Sequence, residues 1–285
     1  MKKLNIVKIL IVISLSVSSL SAYAQWAVSV TAGSADYKLE AIEGDFVDAI
    51  DDTFTYRDLG IDYSWGNHQV GIKIGGLAES NGAIDIRSST ELAATVETGD
   101  AERDEVSVFY TYRTNIGVAL TGGYYTSEVS SKRSFTANIL DYGGSGLSGT
   151  FIQNADKKVE NDGFFFGAAY GRALSDRTGV YARLGYQDSD VEEKINLIKN
   201  ITIPVQTGLT TAQTAQQTNT RSLDLSGDAV VYGVGGYWAV TDTISLNLFY
   251  EVKDFDYSLD AYADGGGVQL EEEQDMIGLT LRYSL

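Results

Sequence analysis

The most informative stretch of the sequence is residues 58–74, which read DLGIDYSWGNHQVGIKI. Large apolar residues alternate with polar or small ones on both sides of Gly66-Asn67, a dipeptide typical of tight turns. A period of two is the pattern of a β-strand whose two faces meet different surroundings. The stretch therefore predicts an antiparallel hairpin with an apolar face that runs from Leu59 to Ile74.

The same plan recurs along the chain. Alternating segments turn at Thr114-Asn115, Ser175-Asp176 and Thr241-Asp242, and a last strand ends at Leu285. Each segment is near the length that crosses a membrane at a tilt. The predicted fold class is all-β, a transmembrane antiparallel up-and-down β-barrel of about ten strands, with eight or twelve strands as alternatives.

Acidic residues concentrate in the segments between the hairpins. The segments are residues 34–53, 79–105, 127–162, 188–228 and 254–275. Together they hold 34 of the 39 acidic and 10 of the 21 basic residues, which gives them a net charge of −24, whereas the whole chain has −18. Bacterial barrels have short periplasmic turns and long external loops, whereas a soluble β-sandwich would carry charges along its strands as well. We therefore predict long extracellular loops near 34–53, 79–105, 127–162, 188–228 and 254–275.

The loop at 127–162 leaves two interpretations open. It is either a hairpin raised above the membrane or two additional spanning strands. Its weaker alternation and its lack of aromatic belts favour the raised hairpin.

Aromatic residues fall at the two edges of the predicted apolar face. Amphipathic rings at both membrane interfaces are typical of membrane barrels. The predicted membrane-interface girdle consists of Trp26, Trp65, Tyr112, Tyr124, Tyr170, Tyr186, Trp238, Tyr250 and Tyr283.

The opposite face of the strands is predicted to line the barrel lumen. Because buried charges must be paired, the charged residues on this face are expected to form a network. A small barrel is about filled by its own side chains, which favours an ion-paired plug over a narrow pore for anions. The predicted lumen charge network consists of Asp58, Asp62, Lys73, Arg113, Arg183, Glu251, Lys253 and Arg282.

Residues 1–24 have the pattern of a cleaved signal peptide. Lys2, Lys3 and Lys8 precede an apolar run, and Ala22-Tyr23-Ala24 forms a small-x-small cleavage site. We expect export through the Sec pathway and a mature single barrel domain over residues 25–285.

The last eight residues, GLTLRYSL, resemble the terminal assembly signal of Gram-negative outer-membrane β-barrel proteins. In that family a glycine is followed by alternating hydrophobic residues, matched here by Gly278, Leu281, Tyr283 and Leu285, although the usual last residue is Phe or Trp. The resemblance implies the cell outer membrane of a Gram-negative bacterium. It also implies the barrel-assembly machinery and periplasmic chaperones as partners during biogenesis.

The strand number and the length are also similar to those of the omptin family of outer-membrane proteases. That family uses Asp pairs together with a His at the extracellular rim. The only histidine here, His68, follows a short turn on the predicted periplasmic side, so no residue takes that role. No cysteine is present for thiol chemistry, and we predict no catalytic, cofactor or metal site.

The sequence predicts a non-enzymatic protein with a structural or surface-interaction role carried by its acidic external loops. A narrow porin-like channel for small solutes is the alternative, and a His-independent surface hydrolase is the weaker alternative. Expected partners are outer-membrane lipids, lipopolysaccharide through divalent cations, and an extracellular ligand that the sequence does not identify. The net negative charge argues against nucleic acid.

Overall fold

The structure is a computed structural model that describes residues 25–43, 46–82, 92–96, 99–139, 148–205, 211–259 and 268–285. The predicted signal peptide and parts of the predicted loops lie outside these residues. Within them no helix is long and apolar enough to cross a membrane. The strands are β1 (Gln25–Glu43), β2 (Phe46–Trp65), β3 (His68–Gly82), β4 (Leu92–Val96), β5 (Gly99–Arg113), β6 (Val118–Ile139), β7 (Gly149–Ala173), β8 (Thr178–Ile203), β9 (Gln213–Ala239), β10 (Ile244–Leu259) and β11 (Val268–Ser284).

Ten of these strands close into one antiparallel barrel. Each strand pairs with its neighbour along the chain, except that β3 pairs with β5. The short β4 pairs only with the loop-end part of β6, where it continues the position of β5. The ring closes where the last strand, β11, pairs with β1, from Ala27 opposite Ser284 to Glu43 opposite Val268. The prediction of an up-and-down barrel of about ten strands is confirmed, and the alternatives of eight and twelve are wrong.

The short turns between strands gather at one end, which we call the turn end, together with Gln25 and Leu285. Gly66 has a left-handed φ of 54°, as the two-residue turn between β2 and β3 requires. The other three turns begin with a hydroxyl residue that accepts a backbone N–H from the next strand. These bonds are Val118 N to Thr114 Oγ1 (3.1 Å), Thr178 N to Ser175 Oγ (3.1 Å) and Ile244 N to Thr241 Oγ1 (2.9 Å).

The polarity of the two faces reverses partway along the strands. In β1, Val28 points outward and is exposed near the turn end, while Thr31 points into the lumen and is buried. Farther along, Asp36 points outward, and the inward residues Tyr37 and Leu39 are buried. The barrel thus has apolar residues outside at the turn end and inside at the opposite end, which we call the loop end.

An outward aspartate marks the reversal on seven of the ten strands. We call the outer face between these aspartates and the turn end the apolar band. In β8, for example, the band runs from Val180 to Tyr186 and ends at Asp188. The seven residues are Asp36, Asp104, Asp162, Asp188, Asp228, Asp254 and Asp275.

Strands continue into the segments predicted as long loops, which is a correction to the sequence interpretation. All described residues within 34–53, 127–162 and 254–275 are strand, apart from Ser148, and most of those within 79–105 and 188–228 are strand as well. The prediction failed because the outer face becomes polar there, so the apolar alternation shifts to the lumen side. β6 and β7 pair from Val118 opposite Tyr170 to Ile139 opposite Gly149, which makes 127–162 one tall hairpin.

Inward aromatic rings lie flat against glycines of the neighbouring strand. A Cβ on Gly71 would stand 2.5 Å from Phe109 Cζ, and one on Gly235 would stand 2.5 Å from Tyr181 Cζ. Each ring therefore occupies the space above a residue without a side chain. Phe165 covers Gly123 and Phe249 covers Gly278 in the same way. Phe109 and Tyr181 also line an inner cavity of about 370 Å³.

Two glycines of β7 provide a matched test of how closely the strand backbones approach each other. A Cβ on Gly163 would overlap the backbone oxygen of Asp188, whereas one on Gly171 would meet its nearest atom, Val180 O, at 3.7 Å. We expect Gly163→Ala to lower the free energy of unfolding by about 1–3 kcal/mol, because strand backbones must separate. Gly171→Ala should leave it nearly unchanged. Urea unfolding in lipid vesicles, followed by tryptophan fluorescence, measures both, and equal stability of the two variants would contradict this account.

Candidate functional site

The eight residues of the predicted lumen charge network all have inward positions. Arg282 on β11 donates to Asp62 on β2, with an Nη2 to Oδ1 distance of 2.7 Å. Arg183 on β8 forms an ion pair with Glu251 on β10. These four residues therefore form two cross-strand pairs.

The other four predicted network residues have different partners. Lys253 Nζ lies 3.5 Å from Glu105 Oε2, and Glu105 was placed in a loop by the sequence. Arg113 donates to Gln69, and Asp58 accepts a 2.6 Å hydrogen bond from the hydroxyl of Tyr56. Lys73 makes no hydrogen bond or ion pair with any described residue, and its side chain faces an inner cavity of about 370 Å³.

A buried layer closes the lumen on the loop-end side of this cavity. At its centre the Arg103 guanidinium stands between the rings of Tyr37 and Phe255, 6.0 Å from each centroid, and forms an ion pair with Glu272. Arg103 and Glu272 are each 2% exposed. The layer joins strands on opposite sides of the barrel, because Arg103 belongs to β5 and its partners belong to β1, β10 and β11.

Hydrogen bonds extend this layer toward β6, β7 and β8. Asn161 Nδ2 donates to Tyr257 Oη at 2.6 Å, and the hydroxyl of Tyr125 donates to Asn161 Oδ1 at 3.1 Å. The Tyr125 hydroxyl also contacts that of Ser189. Burial raises the pKa of Tyr37 to about 12, so this hydroxyl stays neutral at any physiological pH.

Apolar side chains fill the space around these polar groups. They come from all ten barrel strands. The sequence interpretation missed most of them because it treated their segments as loops. The signal that could have found them is the unbroken period of two in the stretches that enclose them. They include Leu39, Phe54, Leu77, Val129, Val159, Val191, Leu223, Leu225, Leu270 and Met276.

The predicted interface aromatics lie on the outer face at the two edges of the apolar band. At the loop-end edge, Tyr124 Oη donates to Asp162 Oδ2 at 2.7 Å and Tyr250 Oη donates to Asp275 Oδ2 at 3.2 Å. At the turn-end edge, Trp26 and Trp238 are about half exposed. The other five, also outward, are Trp65, Tyr112, Tyr170, Tyr186 and Tyr283.

His68 belongs to the turn-end aromatic group. Its ring stacks on Trp65 at a centroid distance of 5.4 Å, and its Nδ1 lies 2.7 Å from the hydroxyl of Tyr110. The sole imidazole of the chain is therefore at the opposite end from the acidic part of the barrel.

The C-terminal residues that resemble an assembly signal form the closing seam. Gly278 pairs with Gly33 of β1 and with Phe249 of β10, whose ring covers it. Leu281 and Tyr283 point outward, and Leu285 N donates to the backbone oxygen of Trp26 at 2.8 Å.

Five carboxylates stand side by side on the outer face beyond the apolar band, and we call them the acidic row. They are direct cross-strand partners from β8 through β11 to β1: Asp188, Asp228, Asp256, Glu271 and Glu40. Like charges directly opposite one another destabilise a sheet, so the row carries an energetic cost. Lys38, 3.0 Å from Glu40, is the cation beside it.

The outer face of β6, β7 and β8 offers a contrast to the acidic row. There Lys158 lies between Glu128 (3.0 Å) and Glu160 (2.8 Å), and Lys194 contacts Glu192 at 2.7 Å. These carboxylates are compensated, whereas four members of the acidic row, Asp188, Asp228, Asp256 and Glu271, form no ion pair with any cation in the described part of the chain. No group of three or more carboxylate or imidazole side chains among the described residues has the geometry to hold a metal ion.

Known proteins resemble this chain in structure and not in sequence. No family model matches the sequence, and no curated protein matches it either. The outer-membrane protease OmpT of Escherichia coli is similar in structure, with a TM-score of 0.53 and 11% sequence identity over 94% of this chain and 99% of OmpT. This chain has the fold of a Gram-negative outer-membrane β-barrel.

Two further outer-membrane structures are similar to the chain at lower TM-scores. The β-domain of the Bordetella autotransporter BrkA has a TM-score of 0.40 and 12% identity, over 93% of this chain and 100% of that one. A FadL homologue of Pseudomonas aeruginosa has a TM-score of 0.39 and 9% identity, over 91% of this chain and 90% of that one.

The buried pair in the lumen can be tested by double substitution. We expect Arg103→Met to lower the free energy of unfolding by about 3–5 kcal/mol, because it leaves the Glu272 carboxylate buried without a cation. The double variant R103M/E272L should recover most of that loss, because no charge then remains. Urea unfolding in lipid vesicles gives both values.

Lys158→Met serves as the control, because it breaks two exposed ion pairs of the outer face and should cost at most about 1 kcal/mol. If R103M proves no more damaging than K158M, the buried pair does not hold the lumen layer together.

Proposed function

We propose that the protein is a closed, non-conducting outer-membrane barrel whose loop-end outer face serves as a surface for interaction, without catalysis. The observation that carries the proposal is the buried layer around Arg103, which crosses the lumen. A solute that entered from the loop end would have to displace an ion pair and several packed rings. The strands beyond the apolar band would then present an outer surface for interaction and would not enclose a channel.

A narrow channel remains the competing function, and single-channel recording separates the two. Purified protein in planar bilayers should give no reproducible openings. R103A/E272A should give openings, because it removes the two largest charged side chains from the centre of the layer while leaving the barrel wall intact. Openings of the wild-type protein that change when Lys73 is replaced by Met would establish the channel and overturn the proposal.

The position of His68 supports the non-enzymatic part of the proposal. OmpT is a protease, and the omptin resemblance calls for a histidine near acidic residues at the extracellular rim. Here His68 is held among aromatic rings at the turn end. The acidic row therefore has no imidazole with which to share a proton.

The acidic row supports lipopolysaccharide as a partner through divalent cations. The row begins directly beyond the apolar band, at the level where the phosphates of an outer leaflet would lie. Two negatively charged layers repel, and divalent cations between them lower that repulsion without a chelating site. The unidentified extracellular ligand would meet the same face.

Cation-dependent binding of lipopolysaccharide tests this partner. With Mg²⁺ present, the triple variant D228N/D256N/E271Q should retain roughly tenfold less lipopolysaccharide than the wild type, and chelation of Mg²⁺ should erase the difference. The matched control is E128Q/E160Q/E192Q, which removes three carboxylates already paired with Lys158 and Lys194. Equal losses in the two triple variants would show that total charge matters and the acidic row does not.

The closing seam supports the proposed route of biogenesis. Export by the Sec pathway, periplasmic chaperones and the barrel-assembly machinery would deliver a chain whose final strand completes the ring. Gly278 and Leu285 lie on or next to that strand, at the pairing with β1.

A further inference from the structure

A groove crosses the outer face of the apolar band over β8, β9 and β10. Its volume is about 700 Å³, and nearly all of the surface that lines it is apolar. Because it opens outward within the apolar band, its surroundings are the hydrocarbon of the bilayer. Its walls include Val180, Ala182, Val234, Leu248, Tyr250 and Ile277.

Gly236 forms the floor of the groove, and nothing in the wall requires a glycine there. Its φ is not in the left-handed region, and an added Cβ would meet only Gly179 O, at 3.5 Å. The adjacent Gly235 differs, because the Tyr181 ring lies 2.5 Å from where its Cβ would be. The missing side chain at Gly236 therefore serves the groove rather than the packing of the barrel.

An arginine stands at the turn-end side of the groove. Arg172 is in the same cross-strand row as Gly236, with Val180 between them. Its side chain is exposed and makes no hydrogen bond or ion pair with any described residue. Tyr170, the next outward residue of β7, belongs to the turn-end aromatic belt, so Arg172 is at the level of the headgroups.

We propose that the groove is a binding site for one phospholipid of the periplasmic leaflet. The lipid phosphate accepts hydrogen bonds from the Arg172 guanidinium, and an acyl chain lies over Gly236 between Val234 and Leu248. Arginine presents a fork of donors that matches a phosphate, and a preformed apolar groove orders one chain at little cost in entropy.

Charge complementarity favours a phospholipid over a second copy of the chain. The outer face of the apolar band carries no carboxylate among the described residues, so a second barrel packed there would leave Arg172 without an anion. A phospholipid supplies the phosphate and the chain in one molecule.

Native mass spectrometry of delipidated protein in detergent tests the site. The probes are phosphatidylglycerol, phosphatidylethanolamine and diacylglycerol with the same chains, of which the last has no phosphate. The first two should each form a one-to-one complex about tenfold or more tighter than diacylglycerol. Arg172→Gln should remove that difference, and Gly236→Leu should weaken all three probes because its side chain fills the groove.

Two control variants keep the result specific. Arg57→Gln removes an outward arginine of β2, near the loop-end edge of the band. Ala168→Leu adds a leucine side chain to the outer face of β7. Both should bind as the wild type does, and all variants should keep the heat-dependent gel shift of a folded barrel. Phospholipid binding that is no tighter than that of diacylglycerol, or that survives both R172Q and G236L, would overturn the proposal.

Discussion

The Arg103 guanidinium is the group on which the interior of this barrel depends. It is 2% exposed, lies between two aromatic rings and forms an ion pair with Glu272 from across the lumen. A barrel wall needs only its ladder of backbone hydrogen bonds, so nothing in the wall itself decides whether the middle is empty or filled. The side chains around Arg103 decide it here. They tie strands on opposite sides together and separate the inner cavity from the loop end.

The sequence predicted the part of the fold that the bilayer controls. Strand number, turn positions, the interface aromatics and the inward parity of Lys73 and Arg183 all follow from alternation within the apolar band. Beyond Gly33 in β1 the alternation persists with its faces exchanged, as Asp36 and Tyr37 illustrate. An interpretation that expects apolar residues to face lipid assigns such a stretch to a loop. At that level the surroundings of the outer face change from lipid to water, so the apolar residues must face the lumen instead.

The candidate site was predictable only where both partners lay within the band. The pair formed by Arg282 and Asp62 involves two residues that the sequence had assigned to the lumen. Arg103, Glu105 and Glu272 lie in segments predicted as loops, so the sequence could not predict that they pair across strands. The acidic row is a different case, because the sequence showed that these segments are acidic but not which carboxylates lie opposite one another on neighbouring strands. Only the pairing of β8 through β1 shows that the carboxylates are direct neighbours.

The length of the tallest strands has a consequence for what can touch the protein from outside. β8 has 26 residues and β9 has 27, which corresponds to roughly 85–90 Å of strand and, at the usual tilt of a barrel, to about 65 Å of height. Only about 25 Å of that lies in hydrocarbon. The remaining 40 Å or so extends beyond the apolar band on the loop-end side and carries residues 213–220, all exposed. A molecule that approaches the barrel from the loop end would therefore meet this polar tip before it meets the apolar band.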